Sequence, residues 1–433
     1  MKKKIGILSL GCPRNLVDSE SILGRLNLKG HSIVEMDEAE IGIVNTCCFI
    51  EEAKKESIDA VLDLIELKKE GRLKKILVYG CLTQRYKDIV RKELPEVDAF
   101  IGRISLNPAL STIESALGLR KGGVNHQQNR FSIAPGHYVY LKICEGCINN
   151  CSFCVIPNIK GRFTSLDMES ILDKIDTFDK EKISEVNIIG QDITSYGMDL
   201  YKGIKLGLLL EKILQRIKNI GWIRLLYLYP SRLTDELLCL IKDSPRICKY
   251  IDLPIQHINK RILRLMDRNT ESRAIRKLIE KIRKTIPDVA LRTSVIAGFP
   301  SETDKEFKEL LEFIEEARFE RLGAFIYSRE EGTKAYNFKD QIPEKIKRER
   351  FNSIMLTQQN ISQEFNKKFL NQSINVLIDE IENDCYLGRS QFDAPEVDGY
   401  VFVRSKGKLK PGEFVRVKII DTLEYDLVGE VAD

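Results

Sequence analysis

The stretch GHYVYLKICEGCINNCSFCVIP, residues 136–157, joins an aromatic and β-branched run to Cys144, Cys147, Cys151 and Cys154. Its first part reads as a β-strand, and its second as a loop too crowded with thiols to be ordinary. Cysteines at the C-terminal end of a parallel strand stand where α/β barrels carry their ligands. The company this strand keeps therefore sets the reading of the whole chain.

Downstream, the runs EVNIIG, IRLLYLY, YIDLPI, ALRTSVIAG and RLGAFIY alternate with helical stretches such as DMESILDKIDTFDKE and DKEFKELLEFIEEA. With YVYLKI they make six βα repeats, an open TIM-like barrel because eight would close it. Upstream, KIGILSL, HSIVEM, IGIVN, KKILVYG and VDAFIG alternate with helices, as in a doubly wound parallel α/β sheet. Beyond the charged helix IPEKIKRERFNSIMLTQQNISQEFNKKF, short strands divided by Gly, Pro and Asp turns predict a small antiparallel β-barrel. The expected division is 1–120, a linker at 121–135, a barrel at 136–366 and the small barrel at 367–433.

The 433 residues exceed what one core accommodates, and 43% hydrophobic with 30% charged residues is a globular composition. A net charge of +4 demands neither nucleic acid nor membrane. No apolar run reaches the ~18 residues that span a bilayer, and MKKKIGILSLGCPRN does not read as a secretory signal, so a cytoplasmic location is expected. Eleven cysteines in that compartment point to metal ligation or redox chemistry before disulfides. Cys239, Cys248 and Cys385 are the exceptions, expected to be small hydrophobic residues, Cys239 buried in a helix and Cys248 before a strand.

Cys147, Cys151 and Cys154 form C-x3-C-x2-C. A structural zinc site would separate its thiolate pairs by about 12 to 20 residues, and a ferredoxin loop would run C-x2-C-x2-C-x3-C. Three thiolates on one loop suit three irons of a cubane, whose fourth iron stays open to a ligand. A second set is dispersed: Cys12, Cys47 and Cys81 each follow a candidate strand of the first sheet, where open α/β sheets bind ligands. Cys48 competes with Cys47, since successive residues leaving a strand point oppositely.

The triplet, with Phe153 at its penultimate position, resembles the radical S-adenosylmethionine (SAM) enzymes. With LGCPRNLVDSE, VNTCCFIEEA, YGCLTQRY, NIIGQDITSYG, LPIQHINKRILRLM and RTSVIAGFPSETDKEF, the chain as a whole resembles the methylthiotransferases of that class, and its tail resembles their TRAM domain. The resemblance implies two [4Fe-4S] clusters, one on Cys147, Cys151 and Cys154 and one on Cys12, Cys47 and Cys81, the Asn-Thr-Cys pattern favouring Cys47. It implies SAM held by Phe153, by Gly190, Gln191 and Asp192 at its methionine end, and by Gln256, Ile296 and Gly298 near ribose and adenine. No acid–base catalyst is assigned, because an unactivated C–H bond calls for a radical, which SAM supplies. A lone His257 in a strand-end loop is expected to be a hydrogen-bonded structural group.

Two branches of the family differ in target: a tRNA adenosine, or an aspartate β-carbon of the small-subunit ribosomal protein S-twelve. YSREEGTKAY and GRSQFDAPEVDGYVFV resemble the protein-modifying branch. Residues 367–433 carry nine Lys or Arg against thirteen Asp or Glu, a net of −4, whereas an RNA-binding barrel should be basic. An acidic barrel suits a basic ribosomal protein. A flavodoxin or ferredoxin is the expected reductant, with no membrane partner, and nothing in the sequence asks for more than a monomer.

Overall fold

The computed structural model describes residues 2–102, 113, 115–116, 131–133, 135–268, 270–382 and 385–432. Of the expected linker, residues 121–130 and 134 lie outside the described residues. The chain forms two compact units. The first comprises Met1–Ala134 together with Cys144–Ile148 and Cys154–Thr164; the second comprises Pro135–Ile143, Asn149–Phe153 and Ser165–Asp433.

In the first unit, β1 (Lys4–Ser9), β2 (Ser32–Ile33), β3 (Ile41–Thr46), β4 (Lys75–Gly80) and β5 (Ala99–Ile101) form one sheet in the order β2-β1-β3-β4-β5. Every pairing in it is parallel. The reversal of strand order at β1 and β3 is the switch point at which such sheets bind ligands. Helices α1 (Pro13–Leu28), α2 (Glu51–Lys69) and α3 (Cys81–Glu93) return the chain. Pro13 opens α1 where its missing N–H costs nothing, and α2 begins on Glu51 and Glu52 and ends on Lys68 and Lys69, matching the helix dipole. Val44, Val61, Leu64, Ile76 and Val78 fill the core, joined by Val155 and by Ile159 from the short helix α4 (Ile156–Lys160). Each such side chain contributes about 1.5–3 kcal/mol on burial, so α4 is anchored to this unit by packing.

Two short strands, β7 (Cys144–Glu145) and β8 (Thr164–Ser165), flank the cysteine loop. In the second unit β6 (Tyr138–Lys142), β9 (Glu185–Ile189) and β10 (Trp222–Leu225) form one parallel sheet. Strands β11 (Tyr250–Asp252), β12 (Ala290–Ala297) and β13 (Arg321–Ile326) form another, and a bridge between Ile223 and Ile247 connects the two. These are the six strands expected from the sequence, an open parallel (β/α)6 barrel.

The last strands are β14 (Ser373–Glu382), β15 (Cys385–Ser390), β16 (Val401–Arg404), β17 (Phe414–Thr422) and β18 (Leu427–Val431). They close into a barrel in the order β14-β15-β16-β18-β17. Four pairings are antiparallel, but β16 and β18 run parallel, which refines the expectation of a purely antiparallel barrel. A closed ring of five strands cannot alternate direction throughout, so one neighbouring pair must run parallel.

This small barrel covers the N-terminal ends of the large barrel's strands, held by charge. Arg389 pairs with Glu185 at 2.8 Å and with Asp379 at 2.7 Å, and Arg224 donates to Glu185 at 2.7 Å. Arg321 donates to Asp393 at 3.0 Å, and Asp398 accepts from Tyr250 at 2.6 Å and from Arg292 at 3.3 Å. The acidic balance at 367–433 is therefore partly internal. Asp379, Asp393 and Asp398 are committed to barrel cations and to Arg389, so these three carboxylates are not part of the acidic surface of the small barrel. Cys248 is buried as expected; Cys239 is exposed on helix Asp235–Asp243, because its position lies off the Leu237, Leu238, Ile241 face.

Candidate active site

Cys12, Cys47 and Cys81 leave the C-terminal ends of β1, β3 and β4, three adjacent strands. The turn carrying Cys12 backs directly onto Cys47. Gly11 has φ +86, and a Cβ there would lie 2.7 Å from the Cys47 Cβ and 2.9 Å from its Sγ. Gly80, before Cys81, has φ +104, and its Cβ would meet the Asn45 Oδ1 at 2.6 Å. Both positions exclude any side chain.

A buried polar network ties the three turns together. Asn15 Nδ2 donates to Leu10 O at 2.9 Å and Thr46 O at 3.2 Å, and Asn45 Nδ2 donates to Asn15 O at 2.7 Å and Ser19 Oγ at 3.0 Å. Thr46 Oγ1 donates to Tyr79 O at 2.7 Å. The Ser57 hydroxyl accepts from Cys47 N at 2.9 Å and donates to Cys47 O at 2.8 Å. Cys48 instead enters the apolar core beside Val61 and Leu82.

The three thiols differ electrostatically. Burial raises Cys12, but the Arg14 guanidinium, donating to its Sγ at 3.3 Å, together with the Asn15 N–H and the Lys160 ammonium, brings it below its ordinary value. Burial pushes the Cys47 and Cys81 thiols up. Two buried thiols ionise readily only against a bound cation, so this donor set fits thiolate ligation of an iron–sulfur cluster. Among the described residues, no three His, Cys, Asp or Glu side chains converge on a single-ion site. The irons of a cubane are separate atoms, and its ligands stand farther apart than those of one ion.

Cys147 and Cys154 fall in the first unit and Cys151 in the second, all three half-buried, while Cys144 is fully buried. Beside Cys151, Ser152 N donates to Met266 O at 3.0 Å and its hydroxyl to Leu265 O at 2.6 Å. The Arg268 Nη1 lies 3.9 Å from Cys151 Sγ, and the Arg268 and Arg232 guanidinium carbons stand 4.4 and 4.3 Å from the Tyr229 ring. Phe153 packs with Ile262, Met266, Ile296, Phe299 and Tyr327, so Phe153 and Ile296 share one apolar wall.

Asp192 follows β9 with Gly190 and Gln191, and its buried carboxylate is a hub. It accepts from Thr194 N at 3.1 Å, Ser195 Oγ at 2.8 Å, Asn149 Nδ2 at 3.0 Å and the Arg232 guanidinium. Asn149, from the cysteine loop, also accepts from Arg232 at 2.7 Å. Gln256 adopts φ +70 where it bridges to Val295, a left-handed conformation at the strand end that is costly for a side chain. Gly298, at φ +73, makes room for Lys347, whose Cγ a Cβ would meet at 2.4 Å. His257 is structural as expected: its Nδ1 accepts from Asn259 N at 2.9 Å, so Nε2 carries the proton toward Glu302 at 3.0 Å.

Sequence reasoning missed Asn15, Asn45, Asn149 and Arg232. The one signal available was a polar residue, Asn45, inside the otherwise apolar run IGIVNT.

A six-stranded open parallel barrel, with the run C-x3-C-x2-C following its first strand in the sequence, is the architecture of a radical SAM enzyme, and the radical SAM superfamily model matches residues 141–314. The TRAM domain model matches 372–432, and that of an uncharacterized protein family, UPF0004, matches 4–102. The fold is also that of a radical SAM methyltransferase, TsrM from Kitasatospora setae, with TM-score 0.54 and 11% identity over 75% of each chain. Full-length relatives narrow the class. The chain is 45% identical to the ribosomal protein uS12 methylthiotransferase RimO of Clostridioides difficile over 99% of this chain and 98% of that one. It is 46% identical to that of Caldanaerobacter subterraneus over 99% and 100%, and 44% identical to that of Geobacter sulfurreducens over 99% of each. The chain belongs to the uS12 methylthiotransferase RimO family.

Proposed function

We propose that the chain inserts a methylthio group at the β-carbon of an aspartate of ribosomal protein uS12, using two [4Fe-4S] clusters and two SAM per turnover. The observation that carries this reading is identity of 44–46% to uS12 methylthiotransferases over nearly the whole chain, all three modules included. The presentation of Cys12, Cys47 and Cys81 at three adjacent strand ends supports them as ligands of one cluster. Cys147, Cys151 and Cys154 would hold the other.

SAM, when bound at the second cluster, supplies the radical that takes hydrogen from carbon. The chain's own residues position and shield. Asp192 and Arg232 fix Asn149 and thereby the loop, Arg268 offers positive charge beside Cys151, and Phe153 with Ile296 forms the apolar wall on which an adenosyl group would rest. Gly190, Gln191, Gln256 and Gly298 shape the backbone around it. A ribosomal protein substrate sets the work in the cytoplasm, and one-electron chemistry asks for a carrier such as flavodoxin or ferredoxin.

Mass spectrometry of uS12 and of tRNA from a deletion strain tests the proposal. Loss of the methylthio group from uS12 with tRNA unchanged is the expected result; loss from tRNA alone would overturn it in favour of the adenosine-modifying reading.

A further inference from the structure

We infer that the exposed cations of helices Lys260–Leu265 and Ser272–Thr285 form a docking strip for the phosphate backbone of small-subunit ribosomal RNA, so that the enzyme meets uS12 within the RNA-bearing subunit; this rests on the reading of uS12 as the substrate. Residues 260–285 carry ten Lys or Arg against three Asp or Glu, a net of +7. The whole chain carries only +4, so the remainder is −3 and the positive charge is gathered here. The small barrel, at −4, lacks the charge to serve the same partner. Part of the strip's charge is spent inside the fold: Arg261 pairs with Glu306, Arg276 with Glu316, Lys281 with Asp235 and Arg283 with Glu320. Lys260, Arg264, Arg273, Lys277 and Lys284 are exposed, and none of them makes an ion pair among the described residues. Glu271 and Glu280 are exposed beside them and offset part of their charge.

Arg273, Lys277 and Lys284 stand on one face of a helix about 21 Å long, opposite the buried Ile275, Ile279 and Ile282. Leu265, ending the shorter helix, accepts from the Ser152 hydroxyl at 2.6 Å, so that helix abuts the cysteine loop beside Cys151. The kind of polyanion follows from what the strip lacks. Among the described residues from 260 to 285 no large hydrophobic side chain is exposed, so a protein partner finds no apolar anchor. The isoleucines that a bilayer would take up are buried. No aromatic residue stands in this stretch to stack on unpaired bases. Charge alone is presented, which fits the backbone of folded RNA whatever its base sequence.

The experiment measures binding of the full reconstituted chain to transcribed small-subunit ribosomal RNA over a range of salt, and methylthio transfer to free uS12 and to purified, unmodified small subunits. Alanine at Lys260, Arg264, Arg273, Lys277 and Lys284 together should weaken RNA binding at least tenfold and flatten the slope of log affinity against log salt by about 4. The same variant should lose at least tenfold in kcat/KM on subunits while modifying free uS12 within twofold of the intact chain. Exchanging Lys for Arg and Arg for Lys at the five positions keeps the charge and should leave every reading within threefold. Unchanged RNA affinity in the alanine variant overturns the proposal. So does an equal loss on free uS12, which would assign the strip to the protein substrate or to the fold, and so does strip-dependent binding to phosphatidylserine vesicles without binding to RNA. If the intact chain transfers no methylthio group to uS12 in either form, the uS12 reading fails and the proposal with it, whatever the RNA affinity.

Discussion

Gly11 has no room for a single methyl group, since its Cβ would press on the Cys47 sulfur. Gly11→Ala should therefore displace Cys47 as well as strain a left-handed turn, at a cost of about 1–3 kcal/mol. We expect reconstituted protein to fall from about eight irons to about four, with SAM cleavage by the other site retained; full iron content would show that the turn yields without moving the thiol. Cys144→Ala tests the opposite case. Cys144 is fully buried within β7, and its loss should cost only about 1 kcal/mol while iron content and activity persist. Alanine at Cys147, Cys151 or Cys154 should abolish production of 5′-deoxyadenosine from SAM, measured by chromatography after dithionite reduction.

Helix Asp304–Ala317 shows how one element responds to acid. It starts in a capping box in which Thr303 and Glu306 bond each other reciprocally. Burial alone would raise the Glu306 carboxyl, but Arg261 and the Thr303 N–H overcome it and hold it down to about 2. A carboxyl depressed in the folded state stabilises fully above its unfolded value near 4.3 and ceases to do so as pH falls through the folded value. Melting temperature should thus fall between about pH 4.5 and about pH 2, and less steeply in Glu306→Gln; identical profiles would exclude this helix start as a contributor. The strand pattern was legible because apolar alternation reports burial directly. GRSQFDAPEVDGYVFV was legible only as a family resemblance, since its carboxylates look solvated until Arg321, Arg292 and Tyr250, remote in sequence, come opposite them. The cysteine positions could be read in the same way from strand ends, whereas Asn149, Asp192 and Arg232 meet only across three separate loops.

On the scale of the whole molecule, the buried pairs between the two barrels of the second unit carry a stability prediction. Arg321→Met leaves Asp393 buried without its cation and should cost about 3–5 kcal/mol. The double change Arg321→Met with Asp393→Leu should recover most of that loss in denaturant melts, and a non-recovering double mutant would show that the site contributes through more than the pair. Glu185 receives Arg224 and Arg389 together, both fully buried, across the junction of the two barrels. In engineering terms the small barrel is thus a poor donor for grafting. Moved to another scaffold it would bring orphaned carboxylates that a host lacking matching arginines must hydrate or protonate. A chimera exchanging TRAM domains between relatives must exchange the strand residues Glu185, Arg224, Arg292 and Arg321 with them.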